Sequence, residues 1–282
     1  MGVSNYNITA AAFQPARAQE YELSILAGMD SFAYILRDRA ENVLLSYVSH
    51  TLTAEEQRDR PAAINRLVLA DDKLRSLRYG STILGWATDR ATLVPTPLFD
   101  VDRRRSYLEH LTPLGFGDTV RADAYNEIGA TLVYAAPATF LEGVERRLAT
   151  RRTHHLAGGL LTAWGLRSRR LSHASVSLRV RGSHLFAAGH RSGQLLFFNT
   201  FPYTTAQDAL YYLLLTYQQS GLSPQRAPLY LCGEIDASGD LYRQFYRYVE
   251  DIRFCQYPVM PKIPAELSTV GEHAYFELLC LG

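Results

Sequence analysis

The chain has 282 residues, of which 47% are hydrophobic, 20% charged and 11% aromatic, a balance too apolar for a disordered protein. Its 29 basic and 28 acidic residues leave a net charge of +1, which argues against a protein devoted to wrapping nucleic acid or coating an anionic membrane. Only Lys73 and Lys262 are lysines, so chemistry that needs a Schiff-base or phosphate-cradling lysine must use one of those two.

No apolar run approaches the roughly 20 residues that a membrane-crossing helix requires. The N-terminus lacks the basic region and continuous apolar core of a signal peptide, and Tyr6 stands where a myristoylation site wants Ser or Thr. Cys232, Cys255 and Cys280 are sparse, odd in number and without a CxxC pair, as expected of reduced thiols rather than a zinc site. These features predict a soluble, cytoplasmic, globular protein.

In chain order, residues 1–20 read as an N-terminal extension. Three strand-like segments follow over 21–52, and three more over 172–203. An offset of 152 superposes the two runs without a gap, placing Ser31 on Ser183, Tyr34 on Phe186, Arg39 on Arg191, Leu44 on Leu196 and Thr53 on Thr205. Each run ends in a helix-start signal of the capping-box type, Thr53-Ala-Glu-Glu56 and Thr205-Ala-Gln-Asp208.

After the second signal, Leu210, Leu213, Leu214 and Tyr217 predict a helix over 206–219, stopped by Gly221 and Pro224. A buried strand at 228–232, a turn at 233–238, a helix at 239–250 and a strand at 254–257 complete that half. The first half continues with a helix near 61–78, strands near 82–88 and 91–94, and a helix near 102–111. Strands near 119–125 and 131–135 and a helix near 137–149 follow.

Strand meanders followed by alternating helices and strands predict an α/β fold. It has two duplicated ribonuclease-H-like subdomains, 21–160 and 172–282, facing each other across a cleft with a split near 155–172. That is the architecture of the actin, sugar-kinase and heat-shock-chaperone superfamily.

Residues 195–224 and 227–254 sharpen the match. A strand ends in Phe198-Asn199-x-Phe201, Asp208 opens a Tyr-Tyr-Leu-rich helix, and a strand closes on Gly233. Over about 172–257 these features resemble an uncharacterised bacterial family of unknown function with an actin-like ATPase fold. The resemblance implies a fold and a superfamily, and no assigned substrate.

Active members of that superfamily carry glycine-rich hairpins with an acidic residue, so that backbone N–H groups reach phosphates while the carboxylate serves a metal or a water. The corresponding turns here are Ala27–Ser31 and Val180–His184, with one glycine each and a carboxylate, Asp30, only in the first. Cys232-Gly233-Glu234 stands where paired glycines hold adenosine. If the cleft keeps a ligand, Gly28, Asp30, Ser31, Gly182, Ser183, Gly233 and Glu234 are its candidate residues. ATP with magnesium is then the implied ligand and Asp30 the candidate for the metal. These same glycines and Asp30 are equally well read as ordinary hairpin-turn residues.

HExxH, GxSxG, GxGxxG and Walker patterns are absent, and the His154-His155 pair does not make a metal motif. Residues 145–173 carry Arg146, Arg147, Arg151, Arg152, Arg167, Arg169 and Arg170 against Glu145 alone. This run is a candidate polyanion patch or, more simply, a solvated helix face with a hinge. Tyr242, Phe245, Tyr246 and Tyr248 divide between core and a surface stripe suited to a protein partner.

The leading expectation is a non-catalytic, degenerate actin-like binding or scaffold protein with a protein partner. The alternatives are an ATPase or small-molecule kinase of the same superfamily, and an RNA-associated factor using the 146–170 arginines.

Overall fold

The computed structural model describes residues 6–282; of the N-terminal extension read over 1–20, residues 1–5 lie outside that range. Strands β1 (Tyr6–Thr9), β2 (Tyr21–Ala27), β3 (Ser31–Asp38), β4 (Val43–Thr51), β5 (Ser81–Trp86) and β9 (Arg152–His155) form one sheet in the order β1-β4-β3-β2-β5-β9. A second sheet has β10 (Ala174–Arg181), β11 (His184–Arg191), β12 (Gln194–Pro202), β13 (Leu229–Gly233) and β14 (Ile252–Phe254) in the order β12-β11-β10-β13-β14. β6 (Ala91–Pro95), β7 (Asp118–Tyr125) and β8 (Ala130–Pro137) make a separate antiparallel sheet, inserted in chain order between β5 and β9.

The two larger sheets repeat one plan. In each, a three-stranded antiparallel meander leads to two strands that run parallel to its first strand. Even the irregularities correspond, with register shifts at Leu36/Arg37 in one meander and Gly189/His190 in the other. Both expected capping boxes form. Thr53 Oγ1 and Thr205 Oγ1 accept from the amides of Glu56 and Asp208, and each acidic side chain reaches back to its threonine amide.

Helix α7 (Ala206–Gln219) has the expected bounds and buries Ala209, Leu210, Leu213 and Tyr217 against the second sheet. The single helix expected over 61–78 is two, α2 (Arg60–Ala70) and α3 (Asp72–Arg75), with a short α1 (Ala54–Arg58) before them after the Thr53 capping box. Asp71 divides the expected helix and Asp59 separates α1 from α2, because their side chains accept from the amides of Lys73 and Ala62 and so begin new helices. Helix α4 (Arg104–Glu109) covers the small sheet, and α5 (Ala138–Arg147) follows β8. In the second half, α8 (Asp240–Tyr246) is shorter than the expected 239–250, and the last strand lies at Ile252–Phe254 rather than 254–257.

The stretch read as a basic hinge is β9 and then α6 (Leu156–Leu171), a 16-residue helix. His155 caps it, with Nδ1 accepting from the Ala157 amide at 3.2 Å. Burial lowers the pKa of His155 to about 4, so the ring stays neutral. Leu156, Ala157, Leu160, Leu161 and Trp164 pack in one apolar cluster with Leu26 and Tyr47 of the first sheet, Phe186 and Tyr230 of the second, and Phe276 and Leu278. The last two lie on α9 (Phe276–Leu279), which returns the C-terminal segment to β2.

Candidate functional site

The hairpin turns expected to line the cleft touch each other. Asp30, only 3% exposed, accepts through Oδ2 from the Ser183 amide at 2.6 Å and the Ser183 hydroxyl at 2.9 Å, and His184 Nδ1 lies 3.1 Å away. Burial alone would raise the pKa of Asp30. The hydrogen bonds from His184 and Ser183 outweigh it and hold the carboxyl at about 2. Gly182 sits at φ +56°, and a side chain there would run into the Asp30 carboxylate. The Gly28 amide donates to the Ser31 carbonyl at 2.8 Å, closing the first turn on itself.

The third turn is held in the same manner. Gly233 has φ +91°, where a Cβ would strike the Val180 carbonyl, and the Glu234 amide donates to that carbonyl at 2.6 Å. The seven candidate residues thus come together in two linked groups. Gly28, Asp30, Ser31, Gly182 and Ser183 form one, and Gly233 and Glu234 join it through the end of β10.

Between these groups runs a buried ionic network whose other members were not among the sequence candidates. Arg181, fully buried, pairs with Glu234 and Glu277, donates to Ser49 Oγ at 2.9 Å and reaches the Ala274 carbonyl at 2.9 Å. Arg179 donates to the other Glu277 oxygen at 2.5 Å. Burial opposes the charge on both Arg181 and Glu277. Glu234 and Glu277 reverse it for Arg181, whose pKa is raised, and Arg179 and Arg181 reverse it for Glu277, whose pKa is lowered. One sequence signal pointed here: Glu277 is the lone acid in the apolar run Phe276-Glu-Leu-Leu279.

A cavity of about 1000 Å³ opens at the carboxyl end of β13, lined in part by Tyr203, Glu234, Asp236, Asp240, Arg243 and His273. Crevices at the carboxyl ends of parallel strands are where α/β sheets take ligands. Its charge is acidic. Arg243 is paired with Asp240, and burial lowers the pKa of His273.

These residues do not fit a magnesium–nucleotide phosphate chain. The amides of Gly28, Ser183 and Glu234 and the Oδ2 oxygen of Asp30 are all engaged by protein groups. Among the described residues no cluster of three or more His, Cys, Asp or Glu side chains is placed to hold a metal.

The arginines of the 146–170 segment separate. Arg146, Arg147, Arg151, Arg152, Arg169 and Arg170 are exposed. Arg167 turns inward, lying 3.6 Å over the Tyr230 ring and donating to Ser177 Oγ and Cys255 Sγ. Cys255 neighbours Cys232, and all three cysteines are free thiols. Of the aromatic set, Phe245 is core, while Tyr246 and Tyr248 are exposed and Tyr242 stacks on Phe254. No helix among the described residues is long and apolar enough to cross a membrane.

Two solved structures share this architecture. A Bacteroides thetaiotaomicron protein described as having an actin-like ATPase fold and unknown function aligns with a TM-score of 0.76 at 17% identity, covering 87% of this chain and 94% of that one. A chain of the PilM–PilN type IV pilus biogenesis complex aligns with a TM-score of 0.59 at 12% identity, covering 92% of this chain and 97% of that one. Among curated proteins none matches. The fold is therefore the actin-like ATPase fold. With residues 10–252 matched, the chain belongs to the family described as "Protein of unknown function (DUF3822)".

Proposed function

We propose that the chain is a binding or scaffold protein that uses the actin-like ATPase fold without turning over ATP. The observation that carries this reading is the bond from Asp30 to Ser183. It engages Oδ2 of the one carboxylate of the two hairpin turns, and the Ser183 amide, in holding one half against the other. The acidic cavity at β13 supports it, because triphosphate binding there would meet like charge. The ligand class assigned is a protein partner. The related fold in the PilM–PilN structure belongs to a chain described as part of a two-protein complex. We place the protein in a reducing cytoplasm, in keeping with three free thiols.

Phosphate release from millimolar MgATP tests the reading. It predicts release no faster than without protein. Release that Asp30→Asn removes would instead establish an ATPase whose catalytic carboxylate is Asp30.

A further inference from the structure

A second cavity, of about 400 Å³, shares no lining residue with the one at β13. Its walls are Val68 and Leu69 of α2, Arg75 of α3, Arg78, and Gly143, Arg146 and Arg147 of α5. Four arginines, two from each of two distant segments, therefore line one space.

Their existing partners leave most of that charge unanswered. Arg75 pairs with Asp72 at the surface, and Arg78 donates to the neighbouring Leu77 carbonyl at 3.1 Å. Arg146 and Arg147 have neither a side-chain hydrogen bond nor an ion pair among the described residues. The adjacent Glu145 is committed to Arg121 and Thr153. Gathering like charges about a cavity is unfavourable until an anion joins them. Arginine, rather than lysine, supplies planar forks that grip phosphate oxygens in pairs.

Gly143 is a second, independent pointer. It lies inside α5, where glycine weakens a helix relative to alanine, yet a Cβ there would meet nothing within 4 Å. Packing does not require this glycine. A larger side chain at 143 would project into the open space that Gly143 lines together with half-exposed Leu69.

We propose that this cavity binds a small organic phosphate, a group of two negative charges joined to an apolar body. The volume falls in the range of about 300–1,000 Å³ usual for small-molecule sites. The arginines would take the phosphate and half-exposed Leu69 the apolar part. This site is separate from the interlobe reading and stands whether or not that reading holds.

Calorimetric titration with 1-naphthyl phosphate, inorganic phosphate and 1-naphthol tests it. The aromatic phosphate is expected to bind at least tenfold more tightly than either half alone. Arg146→Ala/Arg147→Ala is expected to weaken it at least tenfold. Gly143→Leu, which fills the cavity and keeps all four charges, should do the same. The charge-matched control Arg226→Ala/Arg247→Ala should leave binding within twofold. Absence of binding at millimolar concentration would overturn the proposal, as would binding indifferent to Gly143→Leu. Equal loss in the control, or single-stranded RNA whose binding falls with each arginine removed anywhere on the surface, would show general electrostatics instead.

Discussion

Arginine does opposite work at the interlobe turns and at the cavity between α2 and α5. At the turns, Arg179 and Arg181 are 1% and 0% exposed, and Glu277 and Glu234 answer their charge. At the cavity, Arg75, Arg78, Arg146 and Arg147 are exposed and largely unanswered. A buried cation must be paired or the fold fails, so the first set is bound to structure. An exposed cation is held in water at little cost and stays available to a ligand. The turns after β2 and β10 are closed by internal hydrogen bonds and ion pairs, and the open cationic surface lies elsewhere.

Substitutions should reveal that contrast, beginning with the most severe. Glu277→Gln strips buried Arg179 of its carboxylate partner, leaves buried Arg181 with Glu234 alone, and should lower unfolding free energy by about 3–5 kcal/mol in urea titrations. A loss below about 1 kcal/mol would mean the network is not what joins the halves.

Asp30→Ala leaves the Ser183 amide without its acceptor and should cost about 1–3 kcal/mol. Asp30 also predicts a pH signature. Its folded pKa of about 2 lies below the ordinary 3.8, so its stabilising contribution is full above about pH 4. That contribution, about 2 kcal/mol, is lost as pH falls from about 4 to about 2. Comparing wild type with Asp30→Ala across that window should show the steeper acid loss in wild type.

The smallest effect belongs to the cavity. Arg146→Ala/Arg147→Ala should change stability by no more than about 0.5 kcal/mol, because the two side chains have no partner to lose. A large loss would place them with the structural arginines and erase the distinction.

Local chemistry explains what was readable from sequence alone. The capping boxes at Thr53 and Thr205, α7 and both meanders follow from periodicity and turn residues, which act over a few positions. The register shifts of the two meanders, at Leu36/Arg37 and Gly189/His190, follow from pairing between strands and were not legible in the sequence. Asp71 divides a helix that periodicity alone runs together, since a capping aspartate inside an apolar pattern looks like a surface residue.

The site candidates were found as positions but not as contacts. Asp30 meeting Ser183 is a pairing across 153 residues, and no local pattern encodes it. Arg167 looked like its neighbours in a basic run, and only its partners Tyr230, Ser177 and Cys255 distinguish it. Arg75 and Arg78 joined Arg146 and Arg147 for the same reason, through folding of distant segments.

The most direct measurement is the melting temperature of wild type and Asp30→Asn, each with and without millimolar MgATP. A ligand at a hundred times its dissociation constant would add about 2.7 kcal/mol, a rise of several degrees. The account predicts no MgATP shift in either protein and a lower melting temperature for Asp30→Asn in both conditions. A clear MgATP shift in wild type, absent from an Asp30→Asn protein of undiminished stability, would contradict it.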